Sequence, residues 1–396
     1  MTVEETNNYS RYRWLLHILI VSYFLMGFIV RFSWPPLASV ASQDLGMDMT
    51  AAGSYMSAFY IGYVLVQIPA GIFGDRFGGR GVILLALFIE GAASIGMTFI
   101  ESYSAGFLLR IVAGLGAGMV YSACVRSIIL LFPPKEQGLA FGVFYIAPVG
   151  GGVLLTNLLM PWLASFWTWR EAFVVVGAMA FCLFAAAFFT LRDSGAENEE
   201  KDIFGGVKFI LRNRALMLLC VAGFCQMWSQ ISFVSWGNSY LKTIGFSLMD
   251  SGLIMMVFGV GGCLGPLAAG LVCPRAPHPK WVIAFSLAAV LVTLPGFCFS
   301  TDIYSLMLSA GVVGFFFGAA NTPINVIISL FAGKERSATA SGVFGFIAQP
   351  GAIFGPLLIG FSIDMTGGYT GAWWMIAGGC ALGSLLLAFI PHPARD

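Results

Sequence analysis

Four charged side chains stand where an apolar sequence tolerates them least: Arg31, Arg110, Arg126 and Glu90 each lie inside a long run of apolar residues. A charge near the middle of a membrane helix costs about 2.5–3.5 kcal/mol on insertion scales, so each arginine requires a water-filled cavity, an acidic neighbour or a bound anion. Glu90 is the one acid clearly inside such a run, which lets a buried carboxylate neutralise at most one arginine. The economical remaining partner for Arg31 and Arg126 is an anionic ligand. Arg126 precedes Phe132 by six residues and could instead snorkel to the surface. Arg110 stands ahead of Gly114, Gly116 and Gly118, where helix packing or gating is as natural a role as ligand contact. Glu90 is a candidate to carry a proton, or else to pair structurally within the protein.

The elements that must hold these groups follow from composition. Of 396 residues 58% are hydrophobic, 10% are charged and 49 are glycine, too much apolar surface for a water-soluble core. The apolar residues recur in runs of roughly 20, the length at which a helix satisfies its own backbone across a bilayer. The runs predict twelve spans at 14–41, 50–72, 81–100, 103–132, 138–162, 170–191, 214–237, 250–272, 281–300, 303–332, 338–362 and 371–391. The first run is longer than a signal-peptide core and has no small-residue cleavage site, so it is expected to be retained.

Basic residues set the orientation. With the N-terminus in the cytoplasm, Arg11, Arg13, Arg76, Arg80, Lys135, Arg192, Lys201, Lys208, Arg212, Arg214, Arg275, Lys280, Lys334, Arg336 and Arg395 fall inside, and Arg170 and Lys242 outside. Both termini are then cytoplasmic, in a multi-pass protein of the cell membrane. The net charge of +1 indicates no nucleic-acid partner. Eight cysteines without a CxxC pair and three scattered histidines predict neither a metal site nor a disulfide framework. No nucleophile stands with a base and no nucleotide fingerprint is present, so an enzyme and a bound cofactor are not expected.

The polar segment 192–213 divides the chain into expected bundles at 1–191 and 214–396. An internal repeat supports the division: residues 128–136 read IILLFPPKE and residues 327–335 read IISLFAGKE, an offset of 199, and GVF recurs at 142–144 and 342–344. Two pseudo-symmetric six-helix halves are a usual build of secondary transporters, which hold substrate near the membrane midplane between the repeats. The offset carries Arg126 to Asn325, which shares a helix face with Asn321. It carries Arg31 to Gln230, beside Gln226 one turn earlier, although pairing Trp34 with Trp236 gives 202.

Between the second and third spans, residues 71–80 read GIFGDRFGGR, which resembles the cytoplasmic loop motif of the major facilitator superfamily. The resemblance covers the whole chain, with Trp169-Arg170-Glu171 and Gly360 to Asp364 also where the family has such residues. It implies the major facilitator fold, a monomer, and an inner-gate latch built from Asp75, Arg76 and Arg80. The second-half counterpart, Gly270 to Arg275, has no acid, so the latch is expected to be asymmetric.

A finer resemblance is to the anion:cation symporter branch. Arg31 ahead of Gln67-Ile-Pro-Ala-Gly71, and Arg126 ahead of Phe132-Pro133, are similar to its first-span and fourth-span arginines. Ala117 stands where the branch commonly has a glutamate. Residues 147–152, APVGGG, resemble a fifth-span glycine motif associated with exchangers and drug exporters, and Pro350-Gly351 begin a comparable stretch.

The reading is therefore a carrier of a small organic anion, by proton-coupled symport or by exchange. Its expected ligand residues are Arg31, Arg126, Tyr63, Gln67, Gln226, Gln230, Asn321 and Asn325, with Tyr60, Tyr145 and Pro148 secondary; its coupling or gating residues are Glu90, Arg110, Asp75, Arg76 and Arg80. An exporter of hydrophobic or cationic compounds and a transporter-like membrane sensor are the alternatives.

Overall fold

The computed structural model describes residues 3–146, 149–191 and 210–391, with the side chains at 3–12, 68, 71–78, 122, 130, 134–135, 138, 142, 145–146, 149–150 and 334–338 outside that description. Asp75, Arg76, Tyr145, Pro148 and most of the connector 192–213 thus lie outside the described side chains or residues.

Every regular element among the described residues is helical. The first half contains α1 (Val3–Phe32), α2 (Ala38–Asp44), α3 (Met49–Gly96), α4 (Tyr103–Leu131), α5 (Pro134–Ile146), α6 (Val149–Phe166) and α7 (Trp169–Thr190). The second contains α8 (Arg214–Thr243), α9 (Leu248–Val272), α10 (Pro279–Phe299), α11 (Ile303–Ala348), α12 (Pro350–Thr366) and α13 (Thr370–Ala388). Among the described residues eleven stretches are long and apolar enough to cross a membrane, and Gly151–Phe166 is a shorter apolar helix. The expected fifth span, 138–162, includes residues of α5 and α6, with 147–148 outside the described residues.

The helices α3 and α11 each extend past the end of one expected span into the next, while the apolar stretches stay separate at Met49–Gln67 and Gly79–Phe99 and at Ile303–Gly333 and Thr339–Thr366. In α3 the two arms lie along the same neighbour: a Cβ added at Gly62 would stand 2.0 Å from the Ile111 carbonyl, and one at Gly96 would stand 2.9 Å from the Leu109 side chain. The first arm runs parallel to α4 and the second antiparallel, so the two arms are antiparallel to each other, as two successive spans must be. In α11 the break is explicit, because Gly333 has φ 72° and ψ 169°.

One end of the molecule carries a row of helix caps. Asp48, Ser102, Ser247 and Asp302 each accept a backbone N–H of the first turn that follows, and Thr168 with Glu171 forms a capping box. The two halves also meet at this end, through two crossings. A Cβ at Gly53 would stand 2.4 Å from the Pro356 carbonyl, and one at Gly252 would stand 2.4 Å from the Asn157 carbonyl. Gly53 and Gly252 are 199 residues apart, and so are Asn157 and Pro356. The crossings α3–α12 and α9–α6 are therefore the same contact seen twice, related by the repeat.

Side chains fasten what the glycines bring close. Asn238 donates to Asn157 Oδ1 at 2.8 Å, and Ser57 Oγ donates to the Ile353 carbonyl at 2.5 Å. Asp364, at the end of α12, accepts from the backbone N–H groups of Met49 and Thr50 at 3.0 and 2.7 Å and from the Thr50 hydroxyl. A carboxylate from one half thus caps the N-terminus of α3 in the other, where the helix dipole favours it.

Removing this cap should weaken the closed end. In a background without the eight natural cysteines, Asp364→Ala should raise the maleimide labelling of a cysteine placed at Ser57 several-fold, because an N-cap contributes about 0.5–2 kcal/mol. Unchanged labelling would mean that the glycine crossings hold the end closed without it.

Candidate functional site

Between the halves lies a cavity of about 170 Å³, lined from the first half by Phe28, Arg31, Tyr60 and Tyr63 and from the second by Gln230, Asn321 and Gln349, among others. Arg31 sits near the end of α1 with 6% of its surface exposed. Its guanidinium carbon is 4.4 Å from the ring centre of Tyr63, 4.5 Å from that of Phe28, 5.1 Å from Tyr60 and 5.5 Å from Phe59. Aromatic faces attract a desolvated cation, each by about 0.5–2 kcal/mol, and here they surround it. The hydroxyls of Tyr60 and Tyr63 lie near the guanidinium, and no carboxylate lines the cavity among the described residues.

What holds Arg31 in place is the interrupted end of its helix. After Phe32 the chain runs through Ser33, Trp34, Pro35 and Pro36, and two prolines that lack an N–H cannot continue the ladder. The last carbonyls of α1 are then without intrahelical donors. Arg110 supplies them from α4: Nη1 donates to the Val30 carbonyl and Nη2 to the Arg31 carbonyl, both at 2.9 Å, while Nε reaches the Tyr55 carbonyl at 3.3 Å. Of the two roles open to Arg110 from sequence, the geometry is that of packing: it is a cationic C-cap, fully buried, and outside the cavity lining. Trp34 closes the break by donating its indole N–H to the Ala52 carbonyl at 2.9 Å.

Glu90 lies behind Arg31, on the second arm of α3 and away from the cavity. It is 0% exposed, and neither carboxylate oxygen has a hydrogen-bond donor among the described residues. Small residues make its niche: a Cβ at Gly116 would stand 2.9 Å from Glu90 Cγ, and one at Gly27 would stand 3.2 Å from Glu90 Oε1 and 3.3 Å from the Ala117 methyl. The carboxyl therefore faces the seam of α1 and α4 rather than lipid, and the charge it interacts with is that of Arg31.

Of the other expected ligand residues, Tyr63, Gln230 and Asn321 line the cavity. Gln226 does not; it donates to Asn321 Oδ1 at 2.9 Å and fixes that amide, whose nitrogen donates to the Phe317 carbonyl. Gln67, Arg126 and Asn325 are not among its lining residues, so of the two expected clamp arginines Arg31 is the one that borders this cavity. Arg80 donates to the Phe188 carbonyl at 2.9 Å, joining α3 to α7 within its own half. Gln349 was not foreseen, although it directly precedes the Pro350-Gly351 stretch that sequence marked as flexible. Phe28, Met227 and Phe258 had no signal to separate them from other apolar residues.

Comparison with known proteins decides the family. The model of the Major Facilitator Superfamily matches residues 19–356 and 277–396. The chain belongs to the major facilitator superfamily. Its relatives in that superfamily include a probable galactarate/D-glucarate transporter of Bacillus subtilis, 24% identical over 91% of this chain and 88% of that protein. A probable sulfoacetate transporter of Cupriavidus necator is 25% identical over 95% and 93%. A hexuronate transporter of Bacillus subtilis is 24% identical over 92% of each. Among solved structures, the nucleoside transporter NupG shares the fold with a TM-score of 0.81 at 17% identity, covering 95% of this chain and 99% of that one. A bacterial homolog of the lysosomal transporter Spinster, in an inward-facing conformation, gives 0.76 at 16%, covering 96% and 95%. This member of the superfamily is accordingly a transporter and not an enzyme.

Arg110→Leu should lower the apparent Tm in detergent, because about three carbonyls would lose a charged donor and each unsatisfied buried group costs about 1–3 kcal/mol. Arg110→Lys, with a point charge in place of the fork, should fall between. Equal Tm values for all three proteins would exclude the capping role.

Proposed function

We propose that this transporter carries a small organic anion by alternating access, with Arg31 as the cation that receives it. The observation that carries this is the guanidinium itself: buried in aromatic rings, bordering the cavity between the halves, and without a carboxylate beside it in the lining. The printed substrates of the relatives, galactarate and glucarate, sulfoacetate, and hexuronate, are all organic anions and support the same class. The distribution of basic residues supports an orientation with the capped, joined end outside. The protein works as a monomer in the cell membrane with both termini cytoplasmic.

Coupling is by proton symport or by exchange with a counter-substrate. In the symport form Glu90 carries the proton: it is a buried acid near Arg31 and its niche holds no other charge that would fix it in one state. The Gly116 and Gly27 contacts keep that carboxyl close to the helix bearing Arg31, so that proton and anion act on neighbouring positions.

A thermal-shift screen of purified protein against organic anions and cations tests the first claim, because a ligand that binds only the folded state raises apparent stability by mass action. An anion should stabilise wild type and leave Arg31→Gln unmoved. A response to cations or apolar compounds alone would replace this reading with the exporter. For Glu90→Gln, uptake in proteoliposomes should lose its dependence on an imposed pH gradient; a retained dependence would remove Glu90 from coupling.

A further inference from the structure

The charges that border the cavity limit what its ligand can carry. Among the described lining residues Arg31 is the single ionised side chain, and the polar groups opposite it, Gln230, Asn321 and Gln349, are neutral amides. Arg110, the other buried guanidinium in this region, has its donors committed to the carbonyls of Val30, Arg31 and Tyr55. One carboxylate therefore finds one cation. A second carboxylate, placed toward the amides, would be desolvated without a charge to meet it, which is the costly case for a buried ion.

The amides also state what the rest of the ligand should offer. Gln349 Oε1 is buried and accepts no hydrogen bond from any described group. The Tyr60 hydroxyl, on the opposite wall, is likewise buried and outside hydrogen-bonding geometry. An ionised carboxylate cannot donate to Gln349 Oε1, whereas a hydroxyl can. Gln226 holds the Asn321 amide from behind, so that one partner on this wall is fixed before the ligand arrives. Phe28, Met227, Ile231 and Phe258 are among the residues that add apolar surface suited to the carbon chain between the two ends.

We infer that the site is built for a hydroxylated monocarboxylate, its carboxylate on Arg31 and a hydroxyl donated to Gln349 Oε1, and that it discriminates against the dicarboxylate of the same chain length. Gln349 is then a specificity-determining residue. The inference rests on Arg31 as the anion site and narrows that reading. It separates this chain from the relatives named for galactarate and glucarate, which are six-carbon diacids.

The test is calorimetric titration of the purified full chain with acids of six carbons: gluconate and galacturonate as hydroxylated monoacids, glucarate and galactarate as diacids, and hexanoate as the acid without hydroxyls. A hydroxylated monoacid should bind wild type at least about tenfold more tightly than either diacid and more tightly than hexanoate, since a site built to pair a hydroxyl rejects the analogue that lacks it. Gln349→Leu should close the gap between gluconate and hexanoate, and Gln349→Asn should restore part of it. A diacid that binds as tightly as the monoacids, or a gluconate-to-hexanoate ratio unaltered in Gln349→Leu, overturns the inference and leaves anion transport standing. Binding of none of these acids, together with a response to cations or apolar compounds, overturns the anion reading beneath it as well. The wild-type ratios decide even if a variant does not fold.

Discussion

A guanidinium inside a membrane protein must be solvated by something other than water, and this chain solves that problem in two ways within a few residues. Arg110 is solvated by peptide carbonyls, three of them, and is thereby tied to the scaffold. Arg31 is solvated by aromatic faces, with the Tyr60 and Tyr63 hydroxyls beside it and no carbonyl clamp of the kind that ties Arg110. The two solutions depend on each other. Arg110 can find free carbonyls only because α1 stops at Phe32, and α1 stops because Pro35 and Pro36 follow. The same stop puts Arg31 in the last turn, where its side chain borders the cavity while its own carbonyl is pinned from behind.

Much of this was legible in residue order. Lipid-length apolar runs located the helices, because the hydrocarbon layer leaves the backbone no other way to satisfy itself. The repeat paired Arg31 with Gln230 across the halves, and both border one cavity. Other features were not legible, for identifiable reasons. Arg31, Arg110 and Arg126 all lie in apolar runs, and residue order separated them only by their distance from a run's end and by the glycines after Arg110. What distinguishes them is the direction of each side chain relative to a neighbouring helix end, a property of packing and not of the local sequence. Gln349 was hidden differently: a single amide beside a proline reads as a turn residue until the facing helix is in view. The antiparallel arms of α3 were legible, because the polar, glycine-rich break at 71–80 separates two apolar runs.

The repeat is more than a record of duplication. The α3–α12 and α9–α6 crossings use glycine at equivalent positions, Gly53 and Gly252, against the carbonyls of equivalent residues, Pro356 and Asn157. An approach this close leaves no room for a methyl group on either side, so each crossing constrains its own sequence independently of any ligand. Polar fasteners around the crossings are by contrast unequal. The α9–α6 side has the Asn157–Asn238 pair, while the α3–α12 side has Ser57 and the Asp364 cap. Shape is shared between the halves and chemistry has diverged, the same division seen in the cavity, with a cation on one wall and amides on the other.

The glycine crossings bear on the speed of the working cycle. Where they meet, the surfaces in contact are backbone and stiff rings, those of Trp236 against Gly53 and Pro161 against Gly252. Such surfaces have few rotamers to sort each time they rejoin, and so lose little side-chain entropy on closing. The joint resembles two smooth plates more than interlocked teeth: dispersion and a few hydrogen bonds hold it while it is shut, and no long side chain has to be unthreaded before it can slide.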